Sequence, residues 1–95
     1  MFSVGVDVSK EKSTVCILKQ YGEVIVSPYE VNHVEAEISE LISQIKSLDG
    51  EVRIVMEATG IYHFPILHCL QQANFFVSVI NPLVMKKYIS TRLRT

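Results

Sequence analysis

Two acidic residues in separate apolar segments are the side chains of this sequence best suited to metal-ion chemistry. Asp7 lies within the apolar run 3–9, and Glu57 ends a second apolar run, 52–57. Both runs are typical of buried strands, where a carboxylate is costly unless a cation or hydrogen bonds compensate its charge. Mg²⁺, or Mn²⁺ in its place, prefers oxygen ligands and keeps waters that a phosphate can replace. The pair is therefore a candidate metal site for phosphodiester chemistry, with a paired or edge-exposed structural role as the alternative.

The spacing of apolar and turn-forming residues predicts eight elements in the order βββαβαβα. Asn32 followed by Glu35 matches a capping box at the start of the first helix, and Gly50 is expected to end that helix. Pro28 predicts an edge position for the third strand. Asn74 is a candidate cap at the end of the second helix. The strands are predicted at 2–9, 13–19, 23–30, 52–57 and 75–80, and the helices at 32–50, 61–73 and 83–91.

This order of elements predicts how the strands are arranged. Strands 1, 4 and 5 are joined through helices, so we expect them to be parallel with right-handed crossovers. The predicted sheet is mixed and five-stranded, in the order 3-2-1-4-5 of a ribonuclease H-like α/β fold. Asp7 and Glu57 are then neighbours at the carboxyl edge of the sheet, where open sheets of this kind bind ligands. Two acids are fewer than the three or four that two-metal chemistry requires.

Three further polar residues are predicted near the same edge: Ser9, Thr59 and His63. The two hydroxyls have no adjacent base, which argues against a catalytic triad. His63 is expected to be a polar loop residue. A zinc site is not expected, because His68 is five residues away, a poor spacing for a shared metal on a helix, and His33 is distant. The only two cysteines, Cys16 and Cys69, are expected to be reduced thiols.

Charge is unevenly distributed along the 95 residues, although the net charge is only −1. Residues 1–57 hold all ten acids against five basic residues, a net of −5, whereas residues 58–95 hold no acid and four basic residues, a net of +4. The four are Lys86, Lys87, Arg92 and Arg94. Such a segment suits a nucleic acid, and a solvated helix end is the alternative. No apolar run approaches the roughly 18 residues that span a bilayer and no secretory signal is present, so no membrane partner and a cytoplasmic location are expected.

Three sequence segments together resemble a known protein family: VGVDVSK at 4–10, VMEATGIYH at 55–63 with Pro65, and VINP at 79–82. They resemble the N-terminal domain of the DEDD transposases of the insertion-sequence-110 family and of the related pilin-gene invertases, whose catalytic domain is RuvC-like. The resemblance implies that Asp7 and Glu57 match the first two acids of the DEDD set. It also implies Mg²⁺-dependent DNA cleavage and strand exchange in transposition of an insertion sequence, a structured guide RNA in some members, and a homo-oligomer.

The resemblance also predicts that the chain is a fragment. The family's two further aspartates and its C-terminal domain, which carries a proposed serine nucleophile, have no counterpart here. Residues 1–95 are therefore expected to form the N-terminal part of a RuvC-like catalytic domain truncated at its C-terminus, with weak metal binding and no activity of its own.

Two other classes of function remain open from the sequence. The segment 5–9 also resembles the first phosphate-binding hairpin of sugar kinases and actin-like ATPases, although that family usually has glycine where Val8 or Ser9 stands. A nucleotide-binding fragment is thus one alternative. A non-catalytic module that pairs subunits is the other.

Overall fold

The structure, a computed structural model, describes residues 1–57 and 61–80. Thr59, the predicted third helix at 83–91 and the four basic residues of the C-terminal segment lie outside the described residues. The described elements are β1 Phe2–Val8, β2 Lys12–Lys19, β3 Val24–Asn32, α1 Glu35–Lys46, β4 Val52–Glu57, α2 Phe64–Gln72 and β5 Val77–Ile80, with a short 3₁₀ turn at Gln20–Gly22 between β2 and β3.

All five strands belong to one mixed sheet in the order β3-β2-β1-β4-β5, which confirms the predicted order. The first three strands form an antiparallel meander, and β4 runs parallel to both β1 and β5. β3 lies at the edge, as Pro28 predicted, because proline cannot donate to a neighbouring strand. In the described part of the chain, no helix is long and apolar enough to cross a membrane.

The core lies between one face of the sheet and the two helices. Val4, Val6 and Val8 alternate along β1 and are almost wholly buried. They pack in one cluster with apolar side chains of the helices and neighbouring strands, among them Ile54, Met56, Leu41, Ile45, Ile66 and Leu70. Because successive side chains of a strand point to opposite faces, Ser3, Gly5 and Asp7 lie on the other face of β1.

The start of α1 differs from the predicted capping box. Asn32 is the last residue of β3, where it pairs with Lys12, and the helix begins at Glu35 after Val34 as N-cap. The amide N–H of Asn32 donates to the Glu37 carboxylate at 3.0 Å, and so does its side-chain amide. Pairing with β2 holds Asn32 in an extended conformation, so Glu37, not Glu35, is the acid that reaches back across the first turn.

The end of α1 also precedes the predicted position. The helix stops at Lys46, where Ser47 donates its hydroxyl to the carbonyl of Gln44 at 2.6 Å. Gly50 lies four residues beyond Lys46 with a φ of +132°, a conformation that residues with a β-carbon rarely adopt. Gly50 is therefore part of the turn into β4 and does not cap the helix.

α2 begins later than predicted and ends with the predicted cap. Residues 61–63 form a turn, and Pro65 occupies the first turn of the helix, where proline is tolerated. At the other end Asn74 adopts a φ of +68°. Its N–H donates to Gln71 at 3.0 Å, and the N–H of Phe75 donates to Leu70 at 3.1 Å, which is a Schellman arrangement. Because Phe75 completes this cap, β5 begins at Val77, two residues later than predicted.

Candidate functional site

Strand register places Asp7 and Glu57 side by side. The last recorded pair between β1 and β4 is Val6 with Met56, and the two acids are the next residues along these parallel strands. Neighbouring strands lie about 4.8 Å apart. Val6 and Met56 are fully buried on the helix-covered face, so the alternation of side chains puts both acids on the opposite face. The two carboxylates thus share one face and one level at the carboxyl edge of the sheet.

The expected burial of these acids is only partly observed. Asp7 is exposed and Glu57 is half-buried. Asp7 alternates with the buried Val6 and Val8, so its side chain is turned away from the core that encloses them. Water therefore compensates much of its charge, and burial alone does not require a cation. The case for a metal rests on the proximity of two carboxylates, because adjacent like charges repel unless a cation lies between them.

Ser9 lies at the same edge, in the turn between β1 and β2. Both its N–H and its hydroxyl donate to the carbonyl of Lys12, each at 2.8 Å. These two bonds close the hairpin, so the hydroxyl proton of Ser9 already has an acceptor within the turn.

His63 lies in the turn at 61–63, in agreement with its prediction as a loop residue, but its side chain is buried. Its exposed fraction is 7%, and its Nδ1 atom is buried without a hydrogen-bond partner. The ring lies against Phe64, with centroids 4.3 Å apart and an angle of 30° between the planes. The turn at 61–63 leads into α2, and His63 is the N-cap residue of that helix. No hydrogen bond from the His63 side chain caps the helix.

A hydrogen-bonded serine–histidine pair near this edge was not predicted. Ser13 is wholly buried, and its hydroxyl oxygen lies 2.7 Å from Nε2 of His33. The N–H of His33 donates to the carbonyl of Glu11 at 2.9 Å, and burial lowers the pKa of the imidazole. The residues are 20 positions apart, so only the pairing of β2 with β3 brings them together. Since Ser13 is inaccessible, the pair joins the hairpin to the start of α1 and does not form a nucleophile.

The donor set fits a hard cation that retains water. In residues 1–57 and 61–80, no group of three or more His, Cys, Asp or Glu side chains is arranged to hold a metal ion. Two carboxylates supply only part of an oxygen shell, and Mg²⁺ commonly binds through one or two carboxylates with water and phosphate completing the shell. The two cysteines are free thiols, as predicted.

Comparison with protein families gives one match over nearly the whole chain. The model of the DEDD insertion-sequence-110 family, described as transposase, matches residues 4–95. No curated protein sequence matches the chain.

Solved structures with a similar fold come from several functional classes. RuvC of Thermus thermophilus is 12% identical with a TM-score of 0.65, and the match covers 100% of this chain and 71% of that one. The same protein in complex with a Holliday junction gives 10% identity, a TM-score of 0.65, and coverage of 95% and 70%. Pelota of Archaeoglobus fulgidus is 14% identical with a TM-score of 0.60, and the match covers 96% of this chain and 32% of that one. A ROK family glucokinase of Streptomyces griseus, bound to glucose and AMPPNP, is 16% identical with a TM-score of 0.58. That match covers 100% of this chain and 38% of the glucokinase chain.

These structural matches establish the fold. The chain has the predicted ribonuclease H-like, RuvC-like α/β fold. It spans about a third of the Pelota chain and less than half of the glucokinase chain. At sequence identities of 10 to 16%, these matches support a shared fold and no inference about function.

Proposed function

Because the chain belongs to the insertion-sequence-110 family of DEDD transposases, we propose that it contributes to metal-dependent cleavage and exchange of DNA strands during transposition. In this proposal residues 1–95 form the N-terminal part of a RuvC-like catalytic domain. The extent of the structural match supports it, since the whole chain corresponds to 71% of a RuvC chain.

One observation carries the proposal: Asp7 and Glu57 lie level on adjacent parallel strands, on one face of the sheet. These two residues would hold Mg²⁺ or Mn²⁺. The bound ion would supply Lewis-acid stabilisation of charge at a phosphoryl oxygen. The chain's own contribution is to fix two carboxylates on rigid neighbouring strands, so that their repulsion is relieved when a cation binds.

Calorimetric titration with Mn²⁺ tests the role of the two acids. We expect weak binding by the 95-residue chain, and a loss of roughly tenfold or more in affinity for Asp7→Asn and for Glu57→Gln. Asp49→Asn and Glu51→Gln are matched controls, because they remove the same charge at the opposite end of β4 and should leave the affinity unchanged. Equal effects of all four substitutions would refute a site at the carboxyl edge.

The proposal includes the nature of the partners. Lys86, Lys87, Arg92 and Arg94, in a segment without acids, would lie beside backbone phosphates of DNA or of a structured guide RNA. The same family membership supports a homo-oligomeric transposase. With two acids, the 95-residue chain is expected not to cut DNA by itself, and robust Mg²⁺-dependent nicking that Asp7→Ala abolishes would contradict this expectation.

The structural match to a glucokinase favours nucleotide binding as a second candidate function. Two features weigh against it. Val8, where kinases and actin-like ATPases usually have glycine, is 2% exposed and part of the core. Ser9 is engaged in closing the hairpin. Titration with a non-hydrolysable ATP analogue separates the two functions, because only the kinase-like function requires nucleotide binding. The other alternative is a non-catalytic module that pairs subunits. It would be favoured over a transposase domain if Asp7→Ala left every function of the protein intact.

A further inference from the structure

Three apolar side chains are exposed in the short segment that follows the strand of Glu57. Ile61 is 72% exposed, Tyr62 is 40% exposed and Phe64 is 56% exposed. Single exposed apolar residues are common, whereas a contiguous group often marks a surface that binds something.

This group lies near the candidate metal site. Ile61 is four residues beyond Glu57, so their Cα atoms are at most about 14 Å apart. The segment leads from the carboxyl end of β4 into the first turn of α2, which keeps it at the edge where Asp7 and Glu57 lie. The buried ring of His63 packs against the ring of Phe64, with 4.3 Å between the two centroids.

The backbone of this segment is poorly suited to hold a phosphate. The N–H of Phe64 donates to Ile61 at 3.3 Å, the N–H of Leu67 donates to His63 at 2.9 Å, and Pro65 has no N–H. A helix start that binds an anion does so through free amide groups, and here Pro65 supplies none and that of Phe64 is engaged. The side chains, not the backbone, are therefore what this surface offers to a ligand.

The area is also small for a protein partner. Aromatic side chains bury about 150–250 Å² each, so three partly exposed side chains offer well below the roughly 800 Å² per partner of a stable interface. The area suits one or two planar rings.

We propose that Tyr62 and Phe64 form a stacking platform for an unpaired base of the DNA strand whose phosphate lies at Asp7 and Glu57. This inference rests on the proposed function and extends it. Stacking on aromatic rings is tolerant of sequence because every base has a π-face. The platform holds a base within a few nucleotides of the phosphate and so fixes the position of the strand relative to the carboxylates.

The test is binding of the chain to a single-stranded oligonucleotide of about a dozen nucleotides in Mg²⁺, followed by fluorescence anisotropy. Replacing Tyr62 and Phe64 together with alanine should weaken binding by roughly 5- to 150-fold for each base that loses its stack. The aromatic replacements Tyr62→Phe and Phe64→Tyr should retain it. Phe76→Ala and Tyr21→Ala are matched controls, because these aromatic side chains are 81% and 93% exposed at the opposite edge of the sheet. They should change the affinity less than twofold.

A second measurement identifies the stacked nucleotide. An abasic site is moved along the oligonucleotide, and we expect one or two positions where it weakens binding by the wild-type chain. At those positions the abasic site should not weaken binding by the Tyr62→Ala, Phe64→Ala variant any further, since the base and the platform act as a pair. Additive losses at every position would overturn the platform.

The remaining outcomes separate the platform from the function on which it rests. If the wild-type chain binds no oligonucleotide in Mg²⁺, the proposed function and the platform both fail. If Asp7→Asn removes Mg²⁺-dependent binding while Tyr62→Ala with Phe64→Ala has no effect, only the platform fails. If the alanine replacements abolish self-association in sedimentation but leave oligonucleotide binding intact, the surface pairs copies of the chain and the platform is refuted.

Discussion

At the scale of single residues, His63 contains a buried nitrogen without a hydrogen bond. An unsatisfied buried polar atom typically costs about 1–3 kcal/mol, and an apolar group of similar shape avoids that cost. We therefore predict that His63→Leu leaves the free energy of unfolding unchanged or raises it by about 1 kcal/mol in urea denaturation. His68→Leu is the matched control, because His68 is exposed on the same helix and its replacement should change stability by less than about 0.5 kcal/mol. A loss of about 2 kcal/mol or more for His63→Leu would show that Nδ1 has a partner in solution.

The residue scale is also where prediction from the sequence was least complete. The two acids could be located because Asp7 lies near the carboxyl end of one apolar run and Glu57 ends another, and parallel strands end at one edge. The exposure of Asp7 could not be predicted, since an apolar run does not say which face of the sheet the helices cover. The burial of His63 could not be predicted either. The helix α2 begins three residues later than predicted, because local sequence rarely determines the exact end of an element.

At the scale of elements, the bond between Ser13 and His33 joins the β1–β2 hairpin to the start of α1. Burial holds the pKa of His33 below its ordinary value of 6.5. Between the two pKa values the unfolded chain binds more protons than the folded one, so the contribution of His33 to stability is complete above about pH 6.5 and is lost as the pH falls. We predict that His33→Gln reduces the decline in unfolding free energy between pH 7 and pH 5. An identical decline in the wild type and the variant would contradict this.

The same bond predicts a cost for its removal at neutral pH. Ser13→Ala takes away the hydroxyl 2.7 Å from Nε2 and should lower the free energy of unfolding by about 1–2 kcal/mol. Ser9→Ala is a useful comparison, because its hydroxyl bond is exposed and duplicates an N–H bond to the same carbonyl. Removing the Ser9 hydroxyl should cost less than removing that of Ser13.

Element order and sheet order could be predicted because few topologies satisfy short connections and right-handed crossovers. The start of α1 could not, because Asn32 is equally suited to a helix cap and to the end of a strand. Pairing with Lys12 decides between them, and that pairing depends on a residue 20 positions away.

At the scale of the whole molecule, charge separation along the chain predicts how binding to nucleic acid depends on salt. Each phosphate that a basic side chain binds adds roughly 0.9 to the slope of log affinity against log salt concentration. Replacing Lys86 and Lys87 with alanine should therefore flatten the slope by roughly 0.9 for each phosphate that these two side chains bind, without a change in sequence preference. Lys19→Ala with Lys46→Ala removes the same charge from the ends of β2 and α1, at the edge of the sheet opposite Asp7 and Glu57, and should leave the slope unchanged. Equal slopes for both double variants would favour the solvated helix end.

We propose that one metal ion binds between β1 and β4 at the carboxyl edge of the sheet. Paramagnetic broadening of backbone amide signals by substoichiometric Mn²⁺ measures this most directly, because the two edges of the sheet lie roughly 20 Å apart. We predict broadening around Asp7, Ser9 and Glu57, sharp signals around Tyr21, Gly50 and Phe76, and disappearance of the effect in Asp7→Asn. Broadening centred on Asp49 and Glu51, or unchanged by Asp7→Asn, would contradict a metal site at this edge.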